Sequence, residues 1–128
     1  MIAEGAGAAP LAAVMFNKLP VKGKKVVCIV SGGNIDVTIL SRVIKRGLLM
    51  TGRQQTVCIE LQDKPGQLLA VAKIIADLGA NVISIHHERA SEGSDVTGCY
   101  LRIVLETKNY EHVREITKAL TDAGFKLV

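Results

Sequence analysis

The chain has no tryptophan, two phenylalanines and two tyrosines among 128 residues. A core must therefore be assembled from Val, Ile, Leu and Ala. A nucleic-acid surface made of stacked aromatics is disfavoured for the same reason. No apolar run approaches the ~20 residues that cross a bilayer, so no membrane partner is expected. The apolar beginning, MIAEGAGAAPLAAVMF, carries Glu4 with no basic region ahead of it, and its glycines and Pro10 suit neither a secretory signal nor an anchor. Cysteine is scarce: Cys28, Cys58 and Cys99 form no CxxC pair, and each sits in a strand-like apolar run. They read as small buried hydrophobes of a reducing cytoplasm. Acidic residues are nearly missing from the first part. Residues 1–55 hold eight Lys or Arg against Glu4 and Asp36, a balance of +6, whereas residues 56–128 hold eight basic against ten acidic, a balance of −2. The change of sign marks two units of different origin.

The first unit reads as helix, strand, helix. Glu4 to Asn17 is rich in Ala and Gly, which let backbones approach closely, and NKLPVKGKK is a loop marked by Pro20 and Gly23. VVCIV, residues 26–30, is a continuous β-branched run expected to be a strand buried on both faces. It ends in SGGN, after which Ile35, Ile39, Leu40, Val43 and Ile44 recur at helical spacing. Asn34 or Asp36 is the expected N-cap of this helix, and Gly47 its expected end. A strand of this kind needs neighbours on both edges and both faces, and residues 1–50 contain no others. This unit is expected to be the tail of a larger domain.

Residues 51–55 read as a polar connection, and residues 56–128 as a complete second unit. TVCIELQ alternates with Val57, Ile59 and Leu61 on one face; DKPG turns the chain; QLLAVAKIIADLG is an amphipathic helix closed by Gly79. NVISIHHERA alternates again, placing Ile83 and Ile85 inward with His87 in the same parity. SEGSDVTG is a hairpin-type loop leading to CYLRIVLE, with Cys99, Leu101, Ile103 and Leu105 inward. A second helix over NYEHVREITKALTDAG faces the core through Val113, Ile116 and Leu120, and FKLV forms a last short strand. The order βαββαβ predicts a ferredoxin-like sandwich, an antiparallel sheet with helices on one face, so the whole chain is α/β in class.

The motifs EGAGAAPLAA, VVCIVSGGNID, SRVIKRGLL, DKPGQLL, GANVISIHHERA and VLET, in this order, resemble the C-terminal part of threonine ammonia-lyase (threonine dehydratase) in the form with one C-terminal ACT domain. The resemblance covers essentially the whole chain. It implies that residues 1–50 are a C-terminal piece of a fold-type II pyridoxal-phosphate domain and residues 56–128 an ACT regulatory domain. It implies pyridoxal 5′-phosphate as cofactor, with the Ser31 hydroxyl facing the pyridine nitrogen, Gly32 and Gly33 leaving room for the flat ring, and Glu4 lining the pocket. A serine is too weak an acid to keep that nitrogen protonated, which suits loss of a β-hydroxyl from threonine or serine over other fates. Read without the resemblance, Ser31, Gly32 and Gly33 form a tight strand-to-helix turn. The family's Schiff-base lysine and its phosphate loop have no match here, so this chain alone is expected to be inactive.

For the second unit the resemblance implies an amino-acid effector, bound where the turn after the first strand meets a second copy of the chain. The implied site residues are Asp63, Pro65, Gly66, Gln67 and Leu68, with Asn81 and Val82 on its other side. A helix N-terminus suits a carboxylate. Isoleucine, the end product of the pathway that threonine deamination opens, is the expected effector, with valine or serine as alternatives, and homo-oligomers are expected through the ACT units. No metal site is expected: His86 and His87 are adjacent on a strand and point to opposite faces, and the sequence offers no set to complete one. Two classes stay open, a regulated lyase and a free-standing binding or assembly module. The orphan strand ending in SGGN favours the first. An RNA-binding sandwich is set aside because Cys58, Glu60, Tyr100 and Arg102 stand where stacking aromatics would be needed.

Overall fold

The computed structural model describes residues 2–89 and 98–128, so the loop expected at 91–98 lies outside the described residues except for Gly98. The chain divides into two compact units, one ending at Ile44 and the other spanning Lys45–Val128.

Helix α1 (Gly5–Met15) lies in the first unit, and helix α2 (Val37–Met50) begins there and ends in the second. Asp36 caps α2: its carboxylate accepts hydrogen bonds from the Thr38 N–H at 2.7 Å, the Ile39 N–H at 3.3 Å and the Thr38 hydroxyl. Those bonds, the hydroxyl's foremost, hold the carboxyl of this solvent-exposed residue below the usual carboxylate range. Of the two N-caps read from the sequence, Asp36 is the one used.

Two expectations for this unit are overturned. The run Val26–Val30 forms no strand, and alternate side chains in it face solvent, Val27 at 91% and Ile29 at 76% exposure, while Cys28 and Val30 are half-buried. A ladder needs a partner, and no stretch among the described residues of this unit is a strand. Gly47 does not end α2 either. Leu48, Leu49 and Met50 carry the helix onward, and the stop falls at Gly52, whose φ of +65° closes the turn. There the Gly52 N–H donates to the Leu49 carbonyl at 3.2 Å and the Arg53 N–H to the Leu48 carbonyl at 2.8 Å.

The second unit is the ferredoxin-like sandwich. Its elements are β1 (Gln54–Gln62), α3 (Gln67–Asp77), β2 (Asn81–Arg89), β3 (Gly98–Glu106), α4 (Tyr110–Asp122) and β4 (Lys126–Leu127). The sheet is antiparallel in the order β2-β3-β1-β4. Gln54 and Gln55, read as part of a connection, already pair with Glu106 and Leu105. The alternating residues Val57, Ile59 and Leu61 of β1 and Cys99, Leu101, Ile103 and Leu105 of β3 meet Val71 and Ile75 of α3 and Ile116 and Leu120 of α4. At ~25 cal/mol per Å², such side chains contribute roughly 1.5–3 kcal/mol each when fully buried.

Strand β2 departs from simple alternation. A bulge between Val82 and Ser84 shifts the register, so that Val82 packs on the core and Ile83, expected inward, is 54% exposed. Ile85 keeps its expected face, opposite Ile103, but sits on the sheet edge and stays 40% exposed. In α4 the buried face includes His112, which the sequence reading missed; Val113 is only half-buried. The His112 Nδ1 accepts from the Lys108 N–H at 3.2 Å, so its Nε2–H donates to the Leu78 carbonyl at 2.9 Å. Each ring nitrogen thereby has a partner, which is how a histidine can be buried. The Asn109 side chain caps α4, accepting from the His112 N–H at 2.9 Å.

On the far face of the sheet, Cys58 stands opposite Arg102 and Glu60 opposite Tyr100. Lys126 pairs with Glu60 at 2.7 Å, and that hydrogen bond raises the lysine's pKa. Of the three cysteines only Cys99 is buried; Cys28 and Cys58 are half-buried.

Candidate functional site

The turn after β1 was singled out for its DKPGQL sequence, and it opens a cleft. Strand β1 ends at Gln62; Pro65, which lacks an N–H, lies in the turn that follows, and Gly66 takes a φ of +90° to start α3. Gly66 occupies the N-cap position with no side chain to cap the helix, so the N–H groups of the first turn of α3 stay available at the cleft. The cleft has a volume of about 460 Å³ and is lined by residues 61–68 together with His87 and Cys99. Asp63, Pro65, Gly66, Gln67 and Leu68 all line this cleft.

Asn81 and Val82 do not. Since β1 and β2 both run antiparallel to β3, Asn81 sits level with Gln54 and Glu106, at the other end of the sheet from Gln62. At ~3.4 Å per residue that is a strand length of roughly 27 Å. The Asn81 amide instead donates to the Glu106 carboxylate at 3.4 Å.

His87 was read as a core or interface histidine. It is exposed and lines the cleft, because β2 is an edge strand that the helices do not fully cover at this end. The fold also assembles a group that the sequence reading did not find. Ligand atoms of Asp63, His87 and Cys99 lie within 4.8 Å of one another. They come from the turn after β1, from β2 and from β3, so no local spacing in the sequence announces them.

In the first unit Glu4, Ser31 and Gly32 come together. The Glu4 N–H donates to the Gly32 carbonyl at 3.0 Å, and Gly32 has a φ of +76°. A Cβ at Gly32 would lie 2.5 Å from the Glu4 carboxylate, and one at Gly7 would lie 1.4 Å from the Ser31 carbonyl oxygen. Gly7 is therefore what lets α1 lie against the serine turn. Among the described residues, a Cβ at Gly33 would meet only the Ile2 carbonyl, at 3.9 Å. An exposed serine hydroxyl, bare glycine backbone and one carboxylate fit one wall of a site for a flat, nitrogen-bearing ring such as pyridoxal phosphate. Among the described residues, no helix is long and apolar enough to cross a membrane.

The βαββαβ order and its antiparallel sheet define a ferredoxin-like α/β domain, here with an open cleft at the first strand-to-helix turn. The ACT domain family profile matches residues 56–122, and the chain belongs to that family. It is 42% identical to an L-threonine ammonia-lyase of Thermotoga maritima over 127 residues, which is 99% of this chain and 31% of that protein. It is 40% identical to an L-threonine ammonia-lyase of Geobacter sulfurreducens, over 98% of this chain and 31% of that protein. A biosynthetic L-threonine dehydratase of Halalkalibacterium halodurans is 33% identical over 98% of the chain and 30% of its own length. The chain thus spans about a third of the length of these relatives.

Proposed function

We propose that the chain is the C-terminal part of a threonine ammonia-lyase, converting threonine to 2-oxobutanoate and ammonia in the cytoplasm, and that residues 56–128 report an amino acid to its catalytic domain. The observation that carries this reading is the similarity to threonine ammonia-lyases over both units, with the cleft at the start of α3 supplying the means of control. The alternative, a free-standing module, leaves unexplained why residues 1–50 share that similarity.

In the regulatory unit, the N–H groups near Gly66, Gln67 and Leu68 hold the effector's carboxylate, and Leu68 offers apolar contact. Asn81 and Val82 contribute from a second copy. Strand β2 is an edge, and two β2 edges pairing antiparallel about a twofold bring the Asn81 end of one beside the His87 end of the other, next to the cleft. Isoleucine is the proposed effector. Calorimetric titration of the 128-residue chain with isoleucine, valine, serine and threonine tests this. Isoleucine is expected to bind most tightly and to strengthen dimerisation, because a shared site links the two equilibria. Dimers that bind none of the four at millimolar concentration would reduce the unit to an assembly surface.

In the catalytic unit, pyridoxal phosphate supplies the electron sink for the reaction when bound. Ser31 orients the ring through its hydroxyl, Gly32 and Gly33 admit the ring's face, and Glu4 closes the wall beside them. Changing Ser31 to alanine in the full-length enzyme is expected to lower turnover and alter the cofactor's absorbance. An unchanged rate and spectrum would take Ser31 out of the site.

A further inference from the structure

The geometry points to a metal site that the amino-acid reading does not require: Asp63, His87 and Cys99 bind one divalent ion, zinc in the first instance, at the wall of the cleft between β1, β2 and β3.

The three residues present a carboxylate oxygen, an imidazole nitrogen and a sulfur within 4.8 Å of one another. Tetrahedral zinc with its usual bond lengths holds such atoms about 3.3–3.7 Å apart. Closing the remaining ångström or so falls first to His87, which lies on an exposed strand edge and can turn on its side-chain torsions. Cys99 is the fixed point: it is 1% exposed, on a central strand, opposite Leu61 of β1 and Arg89 of β2. His87 pairs with Leu101, so it is the diagonal neighbour of Cys99 on the same face of the sheet, a spacing that long side chains bridge.

The donor set selects the ion. A thiolate disfavours calcium and magnesium, which take oxygen ligands, and a mixed S, N, O set suits zinc. One thiolate and one carboxylate balance a charge of +2. The thiol now donates weakly to the Leu61 carbonyl at 3.6 Å, and metal binding exchanges that proton for the ion. With three protein ligands the ion keeps a fourth position, open to the cleft and filled by water.

The test uses the reduced 128-residue chain and metal alone, with no amino acid present, so its outcome is independent of the effector reading. Cobalt(II) is titrated in and then displaced by zinc(II), with the near-ultraviolet thiolate-to-cobalt absorption as readout. A single ion per chain and that absorption band are expected, and Cys99→Ser removes the band. His87→Ala and Asp63→Asn, both at exposed positions that leave the fold intact, are expected to weaken binding beyond the roughly 10–100-fold typical of outer-shell losses. His86→Ala and Cys58→Ser, which alter the opposite face, are expected to leave it unchanged. A band that survives Cys99→Ser, an affinity untouched by His87→Ala, or a loss in His86→Ala as large as in His87→Ala would each overturn the site.

Discussion

Replacing Gly52 by alanine is expected to lower the melting temperature of the chain by more than about 10 °C, from a loss of about 3 kcal/mol or more in a unit of this size. Two costs combine. The φ of +65° is a left-handed conformation, which costs a residue with a Cβ about 1–2 kcal/mol. The new Cβ would also lie 2.5 Å from the Tyr110 backbone nitrogen and 2.9 Å from the Asn109 carbonyl carbon, and backbone at a helix start cannot yield cheaply. The site is tied down further. The Thr107 hydroxyl donates to the Gly52 carbonyl at 2.6 Å, the Thr107 N–H to the Arg53 carbonyl at 2.9 Å, and the Tyr110 hydroxyl to the Met50 carbonyl at 3.0 Å. Gly124 supplies the comparison, since its φ is +87° but a Cβ there meets nothing within 4 Å. Gly124→Ala is expected to show the conformational cost alone. Equal melting temperatures for the two variants would mean that the end of α2 does not press on the start of α4.

Truncating Leu101 to alanine is expected to cost about 2–5 kcal/mol, the range for a large side chain removed from a packed core. Leu101 has no exposed surface and sits on β3, with Ile59 on one side and β2 on the other. Ile83→Ala, by contrast, is expected to stay within about 1 kcal/mol, because the bulge in β2 turns that side chain to solvent. Denaturant melts of the two variants measure both. A cost at Ile83 comparable to that at Leu101 would restore simple alternation along β2 and remove the bulge.

The sandwich was legible in the sequence because its signals are local. Period-two alternation placed Val57, Ile59, Leu61, Leu101, Ile103 and Leu105 inward, and helical spacing placed Ile116 and Leu120. The turn DKPGQL was legible as a helix start for the same reason, since proline and glycine restrict or free the backbone wherever they occur. What failed was whatever depends on partners. A β-branched run at 26–30 reads as a strand, yet strand is a property of pairing, and the described residues of its own unit offer no strand to pair with. The bulge after Val82 arises in the pairing of β2 with β3 and leaves no mark in the composition of either.

The same division runs through the sites. Sequence by itself determined the order of elements in the second unit, the inward faces of β1 and β3, and the residues of the first strand-to-helix turn. Only the tertiary structure decided that Asn81 and Val82 stand at the opposite end of the sheet from that turn, because strand direction is fixed by the antiparallel ladder to β3. It alone buried His112 between two backbone partners and gathered Asp63, His87 and Cys99 around one point. Such groupings depend on distances across a sheet, which a linear chain does not specify until its register is set.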